Sequence, residues 1–318
     1  MTKLMNPFVT TGYVSPAYFC DREAESEQLI REITNGNNIA LISARRMGKT
    51  GLISHCFDNK KISKDYYYFF VDIYATRSLR DFVFMLSREI LSQLKPFGRK
   101  ALEGFWMTVK SLQAGISFNP MGTPSFNINL GDIQSEETTL EEIFNYLSRA
   151  DKPCIVAFDE FQQIDSYQEK NVEELLRTHI QHCNNARFIF AGSRRHIMER
   201  MFSDASRPFY QSVSMLHLES IQINTYVAFA RGLFSKRSRH IETQLVEKIY
   251  EQFMGVTWYM QKILNTLFSM TPEKATCTPK MLEEAVRNNV NSYKYSFSET
   301  LFRLPEKQKE LLIAIARE

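Results

Sequence analysis

Short apolar runs alternate with helix-like segments over the first 220 residues of the chain. The runs cover 39–43, 66–74, 153–158, 187–191 and 213–218. Runs of this kind are typical of strands that are buried on both faces in a parallel sheet. In the segments between them, apolar residues recur at helical spacing, as over 79–90, where they would cover the sheet. The pattern therefore predicts an α/β fold with a five-stranded parallel sheet.

Local sequence marks two helix boundaries. Residues 21–34 are amphipathic, and the turn-forming residues 35–38 end the pattern. Thr138-Thr-Leu-Glu141 matches a capping box, in which the first and last side chains bond to the backbone of the first turn. We therefore predict one helix over 21–34 and another that starts at Thr138.

The region near 100–131 departs from the alternation. A short helical pattern with Phe105 and Trp106 is followed by residues 115–130, where polar and apolar positions alternate around a Pro/Gly turn. This pattern predicts a β-hairpin inserted in the α/β domain. The hairpin either packs on its own domain, which is the more common arrangement, or contacts a partner.

Strand signals cease after residue 218. Helical patterns follow over 223–234, 243–253, 258–268 and 279–290. They predict an array of four helices that carries no catalytic constellation of its own.

The motif that carries the most chemistry directly follows the first apolar run. Ser43-Ala-Arg-Arg-Met-Gly-Lys-Thr50 lies between a predicted strand and a predicted helix, which is the context of a phosphate-binding loop. The backbone N–H groups of such a loop surround the β- and γ-phosphates, and the helix N-terminus adds the positive end of its dipole. The alternative is a surface loop that matches the motif by chance.

Side-chain chemistry suggests the roles within this loop. Lys49 would reach the phosphates as a point charge, and the Thr50 hydroxyl would ligate Mg²⁺. Ser43 replaces the first glycine of the motif, and serine resists positive φ, so the start of the loop must be built differently. The candidate nucleotide-binding residues are Ser43, Ala44, Arg45, Arg46, Met47, Gly48, Lys49, Thr50 and Gly51.

Two adjacent carboxylates, Asp159 and Glu160, end the apolar run 153–158. Carboxylates at the end of a buried strand are costly unless they hold a cation or a water. Asp159 would lie beside Mg²⁺, directly or through water, and Glu160 would orient and deprotonate the attacking water. The structural alternative is an acidic pair that caps the next helix. The phosphate loop disfavours that alternative, because phosphoryl-transfer sites combine these parts.

A third strand, over 187–191, runs into Gly192-Ser193-Arg194-Arg195. Ligands of open α/β sheets bind beyond the carboxyl ends of the strands. A polar or cationic residue at this strand end can therefore touch the γ-phosphate, and Ser193 and Arg194 are the candidates. In the alternative interpretation, these arginines open a solvated helix over 195–202.

These motifs together resemble those of the archaeal-type ATPases in the STAND division of P-loop NTPases, which are relatives of AAA+ proteins. The resemblance extends from the N-terminus to about residue 295. The matching segments are Asn6-Pro-Phe8, Phe19-Cys-Asp-Arg-Glu23 (family F-x-G-R), Ala44 to Thr50 (family G-P-R-R-x-G-K-T), Asp159-Glu160, Gly192-Ser-Arg194 and Arg207-Pro-Phe-Tyr210 (family R-P-L-Y).

The chain departs from the family pattern at three places. Ser43 replaces the first glycine of the loop, and Asp21 stands where glycine usually precedes arginine. Gly255-Val-Thr-Trp258 lacks the proline of the lid motif G-x-P. The third departure affects the contacts expected on the adenine side of the nucleotide and not those expected on the phosphate side.

The resemblance implies a P-loop NTPase fold with the sheet order 5-1-4-3-2, counted along the chain, so that strand 187–191 lies between strands 39–43 and 153–158. It implies a nucleotide-binding domain over 1–220 with the hairpin insertion near 100–131, a helical lid over 221–295, and the start of a winged-helix-like segment over 296–318. Because that last segment stops before a recognition helix, we do not expect this chain alone to bind DNA.

Composition adds few constraints. Of the 318 residues, 44% are apolar and 24% charged, which is ordinary for a globular protein. No apolar stretch has the length of a membrane span, and no signal peptide is recognisable, so we expect a cytoplasmic protein without membrane contact. The five cysteines lie mostly in apolar runs and are expected to be reduced core thiols. A net charge of +3 does not by itself argue for nucleic acid.

We therefore expect an ATP-binding protein with Mg²⁺ as its second cofactor, acting as a slow ATPase and a nucleotide-dependent switch. Lys49, Glu160 and Arg194 are its candidate catalytic residues, and Thr50 and Asp159 its candidate metal ligands. The rival hypothesis is a non-hydrolysing interaction scaffold, one version of which is DNA-associated, in which the nucleotide is structural. Glu160 favours the enzyme, because a structural site needs no base. The partner is a protein that the sequence does not identify, or a second copy of the chain.

Overall fold

The computed structural model describes residues 5–118, 124–126 and 130–316. The chain forms two compact units. An α/β unit spans Tyr13–Ser220, and a helical unit contains the chain from Ile221 onward together with the segment that ends at Gly12. None of the helices in the described ranges is both long and apolar enough to cross a bilayer.

The strands are β1 (Ile39–Ile42), β2 (Tyr67–Asp72), β3 (Ile116–Phe118), β4 (Pro124–Phe126), β5 (Cys154–Asp159), β6 (Ala186–Gly192) and β7 (Ser214–His217). The helices are α1 (Glu23–Thr34), α2 (Lys49–Asp58), α3 (Lys60–Asp65), α4 (Leu79–Leu94), α5 (Arg99–Thr108), α6 (Glu136–Arg149), α7 (Val172–His182), α8 (Arg195–Ser203), α9 (Ile223–Ser235), α10 (Thr243–Gln252), α11 (Thr257–Met270), α12 (Pro279–Ser292), α13 (Lys294–Arg303) and α14 (Glu306–Ile315).

Five of the strands form one parallel sheet in the order β2-β5-β6-β1-β7. With the two short strands β3 and β4 left out of the count, this is the predicted order 5-1-4-3-2 read from the other edge. Ile42 is in register with Gly192, and Asp72 with Asp159. The carboxyl ends of β1, β6 and β5 are therefore neighbours, and the residues that follow them share one edge of the sheet.

Stacked phenylalanines form the core beneath that edge. The rings of Phe158, Phe188 and Phe190 lie 6.2 to 6.3 Å apart and are completely buried. Phe161, directly after Glu160, packs on Phe190 at 4.6 Å. Burying one such side chain is worth about 1.5–3 kcal/mol. This packing anchors the turn that carries Glu160.

The predicted start of α6 is wrong. The helix begins at Glu136, and Ser135 is its N-cap residue, with an Oγ that accepts from the Thr138 N–H at 3.3 Å. Thr138 and Glu141 therefore lie inside the helix. Serine is a favoured N-cap residue, and a helix that begins after Ser135 has Glu136 and Glu137 in its first turn, where their negative charges lie at the positive end of the helix dipole.

The predicted insertion is present as an antiparallel pair of strands. Ile116 in β3 lies opposite Phe126 in β4, and Phe118 lies opposite Pro124. The predicted Pro/Gly turn between the two strands lies outside the described residues. All five cysteines are unpaired and buried, as the sequence predicts.

The helical unit contains the four helices that the apolar pattern predicts, α9 to α12, followed by α13 and α14. The Phe8 ring packs between Phe234 and Phe268 at centroid distances of 5.4 and 6.0 Å. The Asn265 side chain donates to the Phe8 carbonyl at 2.7 Å. The Asn6-Pro7-Phe8 segment thus supplies part of the core of this unit.

Candidate functional site

The predicted phosphate loop joins the end of β1 to the start of α2. Gly48 is the N-cap residue of α2 with φ 96°, and Arg46 also has a positive φ of 68°. A Cβ at Gly48 would meet no atom within 4 Å, so the backbone angle rather than space favours glycine there. The first N–H groups of α2 lack intrahelical partners, which makes this helix end a suitable anion site.

The structure explains why serine is tolerated at the start of the loop. Ser43 lies outside the positive-φ region. Its side chain is completely buried, its N–H donates to the Gly192 carbonyl at 3.3 Å, and its hydroxyl donates to the Ala44 carbonyl at 2.9 Å. The backbone of the loop therefore begins as an extension of β1 beside β6, where glycine is not required.

Lys49 is the first residue of α2 and is only 6% exposed. Burial lowers the pKa of Lys49, whereas the charges of Asp159 and Glu160 act in the opposite direction. A buried ammonium beside two carboxylates is costly to desolvate and is suited to an anionic ligand that compensates its charge.

Thr50 and Asp159 are brought into direct contact. The Thr50 hydroxyl donates to Asp159 Oδ2 at 2.6 Å, and the Glu160 N–H donates to Asp159 Oδ1 at 3.0 Å. Asp159 is 7% exposed, and burial raises the pKa of its carboxyl, while the Thr50 hydrogen bond and the Lys49 charge oppose that rise. A hydroxyl and a carboxylate are hard oxygen ligands, so the donor set fits Mg²⁺, which commonly takes only one or two carboxylates from the protein and completes its shell with water and phosphate.

Glu160 lies directly after β5 in a left-handed conformation, with φ 57°. This conformation is sparsely populated by residues other than glycine and often marks a functional position. The carboxylate Oε2 accepts hydrogen bonds from Gln162 Nε2 at 2.5 Å and from Ser193 Oγ at 2.7 Å. Glu160 and Ser193, from neighbouring strand ends, are thus brought into direct contact.

The two arginines after Ser193 differ in their surroundings. Arg194 is exposed and is the N-cap residue of α8, where its carbonyl accepts the first backbone bonds. Arg195 is also exposed, with 43% of its side chain accessible, and it forms an ion pair with Glu219 at 2.9 Å.

The Arg207-Pro-Phe-Tyr segment supports the turn that carries Glu160. Arg207 forms ion pairs with Glu173 and, at 2.7 Å, with Asp165, which lies in the same turn as Gln162. Asp165 also pairs with Arg200 of α8 at 2.9 Å. These ion pairs connect the turn after β5 to α8 and stabilise the position of that turn.

Asp21 and Arg22 explain the family preference for glycine before arginine. Both residues have positive φ, 57° and 74°, and α1 begins only at Glu23. Aspartate tolerates this region better than most side chains. Arg22 is buried and donates to the Glu219 carbonyl at 2.6 Å and to the Glu25 carboxylate at 2.6 Å. The predicted helix over 21–34 is correct apart from these two residues.

Phe19 lies against the first turn of α2. A Cβ added to Gly51 would be 3.3 Å from the Phe19 ring, and that ring stacks on His55 with centroids 4.5 Å apart. The small residue after Thr50 therefore lets this aromatic residue approach the helix that carries the loop.

Sequence reasoning missed the contacts that Gln162 makes with two strand ends. Its side chain is 4% exposed and bonds both to Glu160 and to the Ser193 N–H. Its place two residues after Glu160 was the only local signal, because the contact with Ser193 arises from the pairing of β5 with β6.

Comparisons with known proteins show the family of the chain. A profile of the ATPase domain family found predominantly in Archaea matches residues 19–263. Because the match covers most of the chain, the protein belongs to this family. A comparison with curated protein sequences finds no match.

Solved structures show the same fold. The Walker-type ATPase PABY2304 of Pyrococcus abyssi is 18% identical with a TM-score of 0.65, over 93% of this chain and 78% of that chain. The Aeropyrum pernix ORC2 protein, solved as ADPNP–ADP complexes, is 16% identical with a TM-score of 0.59, over 89% and 71%. The Aeropyrum pernix ORC1 protein, solved in complex with DNA, is 13% identical with a TM-score of 0.58, over 98% and 76%.

Proposed function

We propose that this protein binds ATP with Mg²⁺, hydrolyses it slowly, and acts as a nucleotide-dependent switch. The observation that carries the proposal is the contact between Thr50 and Asp159 at the N-terminus of α2, with Glu160 directly beside it. A phosphate loop, a hydroxyl–carboxylate pair and a candidate base at one sheet edge are the parts that phosphoryl transfer requires. The nucleotide complexes of the ORC2 protein, which shares the fold, support the same assignment.

Each part has a distinct role in the proposed reaction. The loop N–H groups and Lys49 would hold the β- and γ-phosphates. Thr50 and Asp159 would hold Mg²⁺, which when bound neutralises charge on the phosphate oxygens. Glu160 would orient and deprotonate the attacking water. An arginine finger stabilises the charge of the transition state and accelerates hydrolysis. We expect slow turnover, because we assign no such arginine among the described residues.

A chain of contacts within the α/β unit supports the switch. Ser193 and Arg194 follow β6, and the next residue, Arg195, pairs with the Glu219 carboxylate. Arg22 binds the backbone carbonyl of Glu219 at 2.6 Å. Glu219 is the second-last residue of this unit, which ends at Ser220. A displacement of the end of β6 can therefore be transmitted to the end of the α/β unit through the contacts of Glu219. We propose that bound nucleotide controls the helical unit through these contacts.

Titration of the protein with ATP, ADP and GTP, with turnover measured in parallel, tests the proposal directly. We expect ATP and ADP to bind, and phosphate release from ATP to be slow and to require Mg²⁺. Absence of nucleotide binding would overturn the proposed function. Binding without turnover would support the scaffold hypothesis.

The proposed metal site predicts the effect of Asp159→Asn. The amide keeps an oxygen for the Thr50 hydroxyl but loses the negative charge that Mg²⁺ requires. The Mg²⁺ concentration for half-maximal turnover should rise about tenfold, a change typical of a weakened metal site. Asp72→Asn is the matched control, because Asp72 is in register with Asp159 on the neighbouring strand and is exposed. An equal shift in both variants would contradict the assignment.

Arg194 is the proposed γ-phosphate reader, since its planar donor fork suits phosphate oxygens. ADP lacks those oxygens, so Arg194→Ala should weaken ATP binding roughly fivefold, about 1 kcal/mol, and leave ADP binding nearly unchanged. Arg195→Ala should change neither affinity, because Arg195 pairs with Glu219. Calorimetric titration with both nucleotides measures the difference. An equal loss for ATP and ADP would make Arg194 a structural residue.

A further inference from the structure

The buried side chain of Gln162 closes a ring of hydrogen bonds between two strand ends. Its Nε2 donates to Glu160 Oε2 at 2.5 Å, and its Oε1 accepts from the Ser193 N–H at 3.2 Å. The Ser193 hydroxyl donates to the same Glu160 oxygen at 2.7 Å. Both contacts to the carboxylate use Oε2, so Oε1 takes part in neither.

The chemistry of the partners fixes the orientation of the amide. The Ser193 N–H can only donate, so it requires the amide oxygen. A carboxylate oxygen can only accept, so Glu160 Oε2 requires the amide nitrogen. A side chain of this length that lacks either the donor or the acceptor cannot complete the ring.

The backbone of β6 leaves the amide little freedom. A Cβ added to Gly192 would lie 2.5 Å from Gln162 Oε1 and 2.3 Å from Met198 Sδ. The Gln162 amide therefore lies directly against the Gly192 Cα, in a space that only glycine provides. Phe161 packs beneath the same turn on Phe190. The Gln162 amide is therefore confined by the backbone of Gly192, and the residue before it is fixed by its contact with Phe190.

We propose that Gln162 is a positioning residue for hydrolysis, an inference that rests on the proposed ATPase function. It holds Glu160 by one carboxylate oxygen and leaves the other for the attacking water. A glutamate side chain has three rotatable bonds, and a general base acts only within hydrogen-bond reach of the proton it removes. Because Gln162 also binds the Ser193 N–H, the position of Glu160 is tied to the strand end that is proposed to read the γ-phosphate.

Gln162→Met tests this role, because methionine keeps the length of the side chain and removes both hydrogen bonds. We expect kcat to fall about five- to tenfold, since small displacements of a catalytic group are costly, while KM and the dissociation constant for ATP stay unchanged. Gln163→Met is the matched control, because the Gln163 side chain bonds to Thr76 and Ser166 and not to the Glu160 carboxylate. The backbone bond from the Gln163 N–H to the Glu160 carbonyl is kept in this variant. An unchanged kcat in Gln162→Met, or an equal loss in the control, would overturn the inference.

A second variant covers the case in which Gln162→Met fails to fold. Gln162→Glu fills the same volume and keeps an acceptor for Ser193, but it places a carboxylate where Glu160 needs a donor. We expect a loss of kcat at least as large as that expected for methionine. Full turnover in Gln162→Glu, measured also at alkaline pH so that a proton shared by the two carboxyl groups cannot replace the lost donor, would show that Gln162 only fills space.

A double-mutant cycle separates positioning from general support of the site. If Gln162 acts through Glu160, Gln162→Met should have no further effect on the residual rate of a Glu160→Gln protein. A structural residue would lower the rate by the same factor in both backgrounds. If the parent hydrolyses ATP and Glu160→Gln does not, but Gln162→Met turns over normally, this inference alone fails. If the parent does not hydrolyse ATP, the proposed function fails with it.

Discussion

Glu160→Gln should lower ATP turnover by roughly 10²–10⁴-fold, the usual contribution of a general base, while ATP binding persists. Glutamine has the shape of glutamate, and its amide oxygen can accept the bonds that Gln162 and Ser193 donate to Oε2. The variant therefore keeps the geometry of the turn and loses only the basic carboxylate. Single-turnover phosphate release and equilibrium ATP binding, measured on the same preparation, separate these two effects.

The matched control is Glu174→Gln, which changes an exposed glutamate on α7 and should leave turnover unchanged. Unaltered turnover in Glu160→Gln would mean that the carboxylate is not the base. Tight ATP binding by a parent that shows no turnover would instead favour the interaction scaffold in which nucleotide is structural.

The sheet was predictable because burial imposes a pattern that sequence displays. A strand covered by helices on both faces must be apolar throughout, so β1, β5 and β6 are visible as short apolar runs. The resemblance to archaeal-type ATPases supplied the order of these strands. Once β6 lies between β1 and β5, the residues after their carboxyl ends must share an edge, which brings Ser193 to Glu160.

Contacts that depend on tertiary packing were not predictable. Gln162 is a polar residue in a turn, and local sequence cannot show that its amide meets the backbone of Ser193 across 31 positions of the chain. The ion pair of Arg195 with Glu219 likewise joins a helix start to a segment 24 positions away. The start of α6 was missed for a local reason, because Ser135 and Thr138 both compete for the N-cap position and only the folded chain shows which one wins.

The backbone angles of individual residues in the phosphate loop could not be predicted from the motif. The missing first glycine at Ser43 suggested an altered loop entrance, yet the demand for positive φ falls on Arg46 and Gly48. Asp21 in place of a family glycine shows the converse, because there the backbone does adopt the left-handed conformation. A motif records which residue is common, and only the backbone angle shows whether that residue is required.

Lys49→Ala should weaken nucleotide binding at least tenfold, about 1.4 kcal/mol, because it removes the ammonium proposed to contact the β- and γ-phosphates. Lys49 is buried, and burial lowers its pKa, so the protein without nucleotide holds this charge at a cost. Lys49→Met, which keeps most of the buried stem, should lose affinity to the same extent without a fall in unfolding temperature. Calorimetric titration with ATP and ADP measures the affinity loss, and thermal unfolding of the nucleotide-free protein measures any loss of stability.

Lys60→Ala is the matched control, because Lys60 is an exposed lysine at the start of α3, and this variant should bind nucleotide as the parent does. If Lys49→Ala and Lys49→Met bound ATP as tightly as the parent, the loop from Ser43 to Thr50 could not be the phosphate site, and the roles assigned to Thr50 and Asp159 would have to be abandoned with it.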